Sequence, residues 1–229
     1  MKDWQNTNGS FFGLLRQSLL ALLCLTMSTQ AVYGKKTADE RSFSNIPPQM
    51  ASIQRQIKSN YQNENFETVI ALCSRGIKEF PKESQFYAKR ADTYLLLCKT
   101  DLAIQDLTTA IKLDPKTGWL FVARGRAYDS QGKDKLALED YNQGIALGCS
   151  MGYKDQARVL ERTGQLVKAV DSLNKLMPTI GPLERIPFLF QRAKIYEKLG
   201  KTQLAKADKK LATDLLNKSG GQDADRYTR

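Results

Sequence analysis

The chain has 229 residues, 41% of them hydrophobic and 26% charged, with a formal net charge of +11 and a pI near 9.5. That balance excludes disorder throughout and favours anionic partners, acidic protein segments among them. Histidine is absent and the four cysteines show neither Cys-x-x-Cys nor metal spacing, which removes histidine bases, Ser-His-Asp triads and histidine-containing zinc sites.

Residues 1–34 stand apart from the rest of the chain. Lys2 and Arg16 give weak positive character, and Leu19 to Met27 is an uncharged apolar run. Its length suits the core of a secretory signal and is short for a membrane span. Small residues permit cleavage after Ala31 or after Gly34. The expectation is a cleaved signal peptide and an exported mature chain, periplasmic or secreted. The alternative is an uncleaved N-terminal segment that anchors the chain to a membrane. Acylation of Cys24 is disfavoured because Leu23 precedes it. Without Cys24, the odd set Cys73, Cys98 and Cys149 indicates no disulfide framework. Residues 35–48, ending in Pro47-Pro48, read as a linker.

From residue 49 to residue 217 the apolar spacing is helical, in pairs of helices. The first pair (49–82) has Ile53, Ile57 and Tyr61 on one face of its first helix, Gln49–Gln62. Its second helix, Asn65–Phe80, carries Val69, Cys73 and Gly76, with packing the expected role of Cys73. The second pair (84–117) carries Tyr87, Ala91, Tyr94, Ala103, Leu107 and Ala110 and closes on Asp114-Pro115. The third (118–149) carries Phe121, Gly125, Tyr128, Gly132, Ala137, Tyr141 and Gly144, in the same phase 34 residues on. The fourth (150–181) slips. Gly164 follows Gly132 by 32 residues, and Gly200 follows Gly164 by 36, so the fifth pair (183–217) returns to phase. The loss is expected in the loop around Cys149. The gain is expected at Met177 to Pro182, where Pro178, Gly181 and Pro182 cannot continue a helix. In the last helix Leu204, Leu211, Leu215 and Leu216 are expected to face inward. Lys209, where Leu107 and Tyr141 stood, suggests a polar end cap. Residues 218–229 lack periodicity and read as a tail.

A period of 34 residues, with large and small residues alternating in this way, resembles the tetratricopeptide repeat (TPR). Arg90-Ala91 and Arg124-Gly125 stand where the usual pattern has Leu-Gly. The resemblance covers about residues 50–217. It implies an all-α, right-handed TPR superhelix, an α-solenoid of about five helical hairpins, whose inner surface is lined by the first helix of each. The implied work is binding, not catalysis. Gly132-Lys133 and Gly200-Lys201 lack the earlier glycine of a phosphate loop, with Ala127 and Ile195 in its place. Glu139 and Asp140 read as a solvated helix face, and no metal site and no cofactor are expected.

On the inner surface the resemblance places an apolar floor of Leu96, Trp119 and Val122, then a basic stripe of Arg126, Lys154, Arg158 and Lys194, with Lys58 in the first hairpin. Such a groove suits a protein or peptide segment with acidic flanks and an apolar anchor. The competing interpretation is that Trp119 merely covers a neighbouring helix and the cations are solvated. The clamp by which some TPR proteins hold acidic chaperone tails fits no frame; one frame gives Ala88, Asp92, Ala123, Met151 and Asp155. The expected function is therefore an exported TPR scaffold, with a role in assembling an envelope or secretion complex. The alternatives are charge-driven binding of anionic polymers or nucleic acid, and a membrane-anchored adaptor. Aromatics at core spacing argue against base stacking.

Overall fold

The structure is a computed structural model that describes residues 46–218. The leader, the linker up to residue 45 and residues 219–229 lie outside the described residues. The chain divides into two units, Met1–Ala51 and Ser52–Arg229, and the hairpin stack belongs to the second.

Among the described residues there are ten α-helices and no strand. They are α1 (Pro48–Gln62), α2 (Phe66–Glu79), α3 (Ser84–Leu96), α4 (Thr100–Leu113) and α5 (Gly118–Ser130). Then come α6 (Asp134–Ala146), α7 (Met151–Arg162), α8 (Leu166–Leu176), α9 (Ile186–Lys198) and α10 (Thr202–Lys218). Short 3-10 turns at Met177–Thr179 and Leu183–Arg185 fill the connection from α8 to α9, where Pro178, Gly181 and Pro182 stop the helix.

The core runs across hairpin boundaries, as expected of modules that cannot bury their apolar faces alone. Leu120 of α5 joins Ala91, Ala103, Leu107 and Ala110 of α3 and α4. Val159 of α7 joins Val122, Ala137 and Tyr141, and Ile195 of α9 joins Ala157, Ala169 and Leu173. Small residues set the spacing. A Cβ on Gly125 would stand 2.7 Å from the Tyr141 ring, so α5 and α6 cross at a distance that only glycine permits.

Each hairpin turns the same way. The amide of the residue after the turn reaches back to a helix carbonyl: Lys99 to Tyr94 (2.8 Å), Lys133 to Tyr128 (3.0 Å) and Lys201 to Tyr196 (2.8 Å). This Schellman closure needs one left-handed residue. Gly132, Gly164 and Gly200 supply it in three hairpins, whereas Glu64 (φ 58°) and Cys98 (φ 57°) do so in the first two. A Cβ in that region costs about 1–2 kcal/mol, partly offset by the entropy glycine loses on folding. Cys98→Gly is therefore expected to raise stability by about 0.5–1 kcal/mol, measured as an increase in the urea midpoint.

The two-residue deficit falls around Cys149, as expected: α6 has 13 residues against 14 in α4 and α7 has 12 against 13 in α5, on either side of a connection, 147–150, equal in length to 114–117. Gly148 (φ 85°) ends α6 there by a Schellman closure of its own, Cys149 N–H to Gly144 O at 3.0 Å. The expectation for the last helix is corrected. In α10, Leu204 and Leu211 do not face inward; they are half exposed, and the buried face is Ala205, Asp208, Ala212 and Leu216. The buried face is centred on Ala205, Ala212 and Leu216, which pack towards α9, with Asp208 at one edge of it receiving Arg192; Leu204 and Leu211 lie beyond that edge. Lys209 is also exposed and donates to Glu197 at 2.7 Å.

Arg192 belongs to a repeated device. In α3, α5 and α9 the arginine that replaces the usual leucine holds an aspartate sixteen residues on through Nε and Nη2. The pairs are Arg90–Asp106 (2.7 and 2.8 Å), Arg124–Asp140 (both 2.8 Å) and Arg192–Asp208 (both 2.7 Å). Nη1 then donates to the preceding hairpin, to Ser74, Thr108 and Asn174 respectively. Each guanidinium thus ties three helices together, and bidentate hydrogen bonding to aspartate raises the pKa of all three arginines. The expectation of a solvated Asp140 was wrong, since Asp140 is buried under Arg124, while Glu139 is exposed. The fourth hairpin makes the same three-helix link with neutral groups: Ser172 donates to Gln156 and Gln156 to Asn142, both at 2.6 Å.

Candidate functional site

The first helices of the hairpins lie side by side. Gln54 of α1 donates to Gln85 of α3 (2.8 Å), α3 touches α5, and α5 touches α7. Their common face holds the expected groove residues in three different situations.

Leu96 and Trp119 are exposed by 52% and 50%, so half of the indole is available to a partner. Lys58, Lys154 and Lys194 are exposed as well. Val122 is a correction: it is 2% exposed and belongs to the core. Gly144 and Gly152 bring α6 and α7 so close that the Val122 γ-methyl would lie 2.6 Å from a Cβ at 144 and 3.3 Å from one at 152. Its position faces inward along α5, but the neighbouring backbones cover it. The apolar part of the surface is reduced to Leu96 and Trp119.

Arg126 and Arg158 are neither free nor buried. Arg126 donates through Nε to Asp155 at 2.7 Å. Arg158 Nη2 lies 2.5 Å from Asp129 and 3.6 Å from Asp155. Arg162 joins them, donating to Asp129 at 2.7 Å and to Asp134. The carboxylates are covered, with side-chain exposures of 3% for Asp129 and 6% for Asp155, while Arg126, Arg158 and Arg162 keep 37%, 53% and 46%. The network is reciprocal, since α5 gives an arginine and then an aspartate three residues on, and α7 gives an aspartate and then an arginine. Sequence reasoning named the two arginines and missed Asp129, Asp155 and Arg162. The inverted order of Arg126/Asp129 and Asp155/Arg158 was the available signal.

These arginines differ from the three-helix ties. Arg90, Arg124 and Arg192 use all three nitrogens and have side-chain exposures of 20% or less. Arg126, Arg158 and Arg162 each engage carboxylates through a single nitrogen, leaving further N–H donors of the five on a guanidinium for an outside acceptor. Further along, Glu161 accepts from Lys198 (2.7 Å) and Gln191 (3.1 Å). Burial pushes the Glu161 carboxyl up, but those bonds and the charges of Lys198 and Lys194 outweigh it and hold the pKa below its ordinary value. At the other end Tyr61 donates to Asp92 at 2.8 Å. Burial, that bond and the Asp92 charge push the Tyr61 hydroxyl up to about 12.

Comparison with known proteins agrees with this architecture. Residues 84–117 match the tetratricopeptide repeat family model. Hsc70-interacting protein 1 of Drosophila melanogaster is 30% identical over 115 residues, 50% of this chain and 29% of that protein. Small glutamine-rich tetratricopeptide repeat-containing protein 2 of Saccharomyces cerevisiae is 28% identical over 116 residues, 51% of this chain and 34% of that protein. The chain thus spans only about a third of the length of these curated relatives. Among solved structures, MamA superposes with a TM-score of 0.65 at 21% identity, over 71% of this chain and 95% of its own. YrrB, described as a TPR protein with an unusual peptide-binding site, gives 0.58 at 14% identity, over 69% and 82%. Residues 84–117 are a tetratricopeptide repeat, and the described chain has the all-α fold of the TPR solenoids.

Proposed function

We propose that this protein is a non-catalytic adaptor that binds an acidic protein segment along the face formed by α3, α5, α7 and α9, with Leu96 and Trp119 taking an apolar anchor. The observation that carries the reading is the set of half-exposed arginines on α5 and α7, each engaging carboxylates through one nitrogen and presenting the rest of its guanidinium outward. Guanidinium groups held from behind lose little freedom when they take a second carboxylate, and a large indole supplies apolar contact area. The known peptide-binding use of this fold, as in YrrB, lends support. A chaperone-tail clamp is not part of the proposal, because the clamp frame puts Ala88, Met151 and the carboxylate of Asp155 where cations are required.

Lys154 and Lys194 are exposed, so they test the reading without disturbing the core. Lys154→Glu/Lys194→Glu is expected to weaken a labelled peptide with a phenylalanine anchor and a run of glutamates by roughly tenfold at low salt, with an unchanged melting curve. Unchanged affinity would remove the basic stripe from the proposal. Binding that falls steeply with salt and does not depend on the anchor would favour the polymer-binding alternative.

The leader extends the proposal to export and to a role in assembling an envelope or secretion complex. Among the described residues no helix is long and apolar enough to cross a membrane. N-terminal sequencing of the mature chain is expected to begin at Val32 or Lys35, whereas a chain that retains Met1 would support the membrane-anchored adaptor.

A further inference from the structure

Tyr141 stands on α6 where Cys73 stands on α2 and Leu107 on α4. Those residues do the same packing without a hydroxyl. The Tyr141 side chain is wholly buried among Val122, Ala137 and Val159, and its hydroxyl has no hydrogen-bond partner among the described residues. Such a group costs stability in the fold as it stands. Its surroundings are not apolar throughout. The ring lies over Gly125, the residue before Arg126. Burial raises the hydroxyl pKa most, Asp155 and then Asp129 raise it further, and Arg158 and Arg126 oppose them. The four charges that act on this hydroxyl are thus those of the reciprocal network between α5 and α7.

The network has a difficulty as a receptor. A carboxylate arriving on the outer N–H groups of Arg126 or Arg158 shares the guanidinium charge with Asp155 or Asp129 and draws it away from them. A covered carboxylate whose cation is drawn away is disfavoured. The loss is greatest at Asp155, whose second arginine, Arg158, stands 3.6 Å away, whereas Asp129 keeps Arg162 at 2.7 Å.

We infer that the Tyr141 hydroxyl is a reserve hydrogen-bond donor to Asp155 and Asp129, used when the carboxylate of a bound segment draws Arg126 or Arg158 outward. No proton is transferred: the O–H donates to the carboxylate left behind, and the guanidinium donates to the incoming one. Tyr141 is therefore a positioning residue that favours acidic over neutral segments without touching them. The inference rests on the reading that this face takes an acidic segment.

The test compares the full chain with Tyr141→Phe, which keeps the ring and its packing. Two labelled peptides serve as probes, a phenylalanine anchor followed by glutamates and its glutamine twin. The variant is expected to have an equal or higher urea midpoint, to bind the glutamate probe roughly tenfold more weakly and to bind the glutamine probe as before. The tenfold difference should disappear when Asp155→Asn/Asp129→Asn is the background for the same comparison. Equal affinity of wild type and Tyr141→Phe for the glutamate probe would overturn the inference and leave the binding reading standing. A lowered midpoint would also overturn it, since the hydroxyl would then be bonded in the free protein. A wild-type chain that does not distinguish the two probes would overturn both.

Discussion

Asp140→Ala is expected to lower the stability of the protein by about 3 kcal/mol, seen as a large fall in the urea midpoint. The adjacent Glu139→Ala should shift it by no more than about 0.5 kcal/mol. The two residues differ only in which way the helix turns them. Glu139 is exposed, whereas Asp140 is 6% exposed and accepts both Nε and Nη2 of Arg124 at 2.8 Å. Arg124 also reaches Thr108 of the preceding hairpin, and its guanidinium carbon lies 5.9 Å from the centres of the Phe121 and Tyr128 rings. Removing the acceptor leaves a covered cation whose remaining contacts do not neutralise it. Replacing both partners, as Arg124→Met/Asp140→Leu, should therefore cost less than Asp140→Ala alone. A double variant that proves worse than the single one would show that the pair contributes net attraction, and not mainly the avoidance of an unpaired charge.

Gly144→Val is expected to cost about 3 kcal/mol or more, although valine is a better helix former than glycine by a few tenths of a kcal/mol. A Cβ at 144 would lie 2.6 Å from the Val122 side chain and 2.8 Å from the carbonyl oxygen of Gly118. The second contact is with helix backbone, which can relieve it only if α5 and α6 move apart. Circular dichroism melts of Gly144→Val beside Gly132→Ala give the comparison. Nothing lies within 4 Å of a Cβ at 132, so Gly132→Ala suffers only the left-handed backbone penalty of about 1 kcal/mol.

Much of the fold was legible because the repeat spacing is carried by residues whose reason is local. Ala91, Ala103, Ala110 and their counterparts are small where helices cross, and a helical period shows which face they share. The register of the slipped fourth hairpin was legible too, because turn glycines mark it. What failed depended on partners distant in sequence. Val122 looks like a groove residue from its own helix, and it is covered only because Gly144 and Gly152 admit two other backbones. Asp140 looks solvated until Arg124 is brought against it, and Leu204 looks like core until α9 packs on the neighbouring stripe of Ala205, Ala212 and Leu216. In the groove, the cations were visible as charges on one face. Their state was not, because Asp129 and Asp155 occupy positions that composition alone marks as surface.

The reciprocal charges between α5 and α7 also bear on the order of modules along the chain. A helical repeat can in principle stack on any other, and duplication or recombination between similar repeats would reshuffle them at little cost in packing. Here the third hairpin presents Arg126 and then Asp129, and only a neighbour with Asp155 and then Arg158 at the matching places satisfies both. In the register set by Gly132 and Gly164, Arg158 stands where Arg126 does and Asp155 where Ala123 does, so a second copy of the third hairpin in the fourth place would keep an arginine for Asp129 but set an alanine against Arg126. The pair thus acts as a key that admits one sequel, and it makes this stretch of the array a fixed sentence and not a set of interchangeable words.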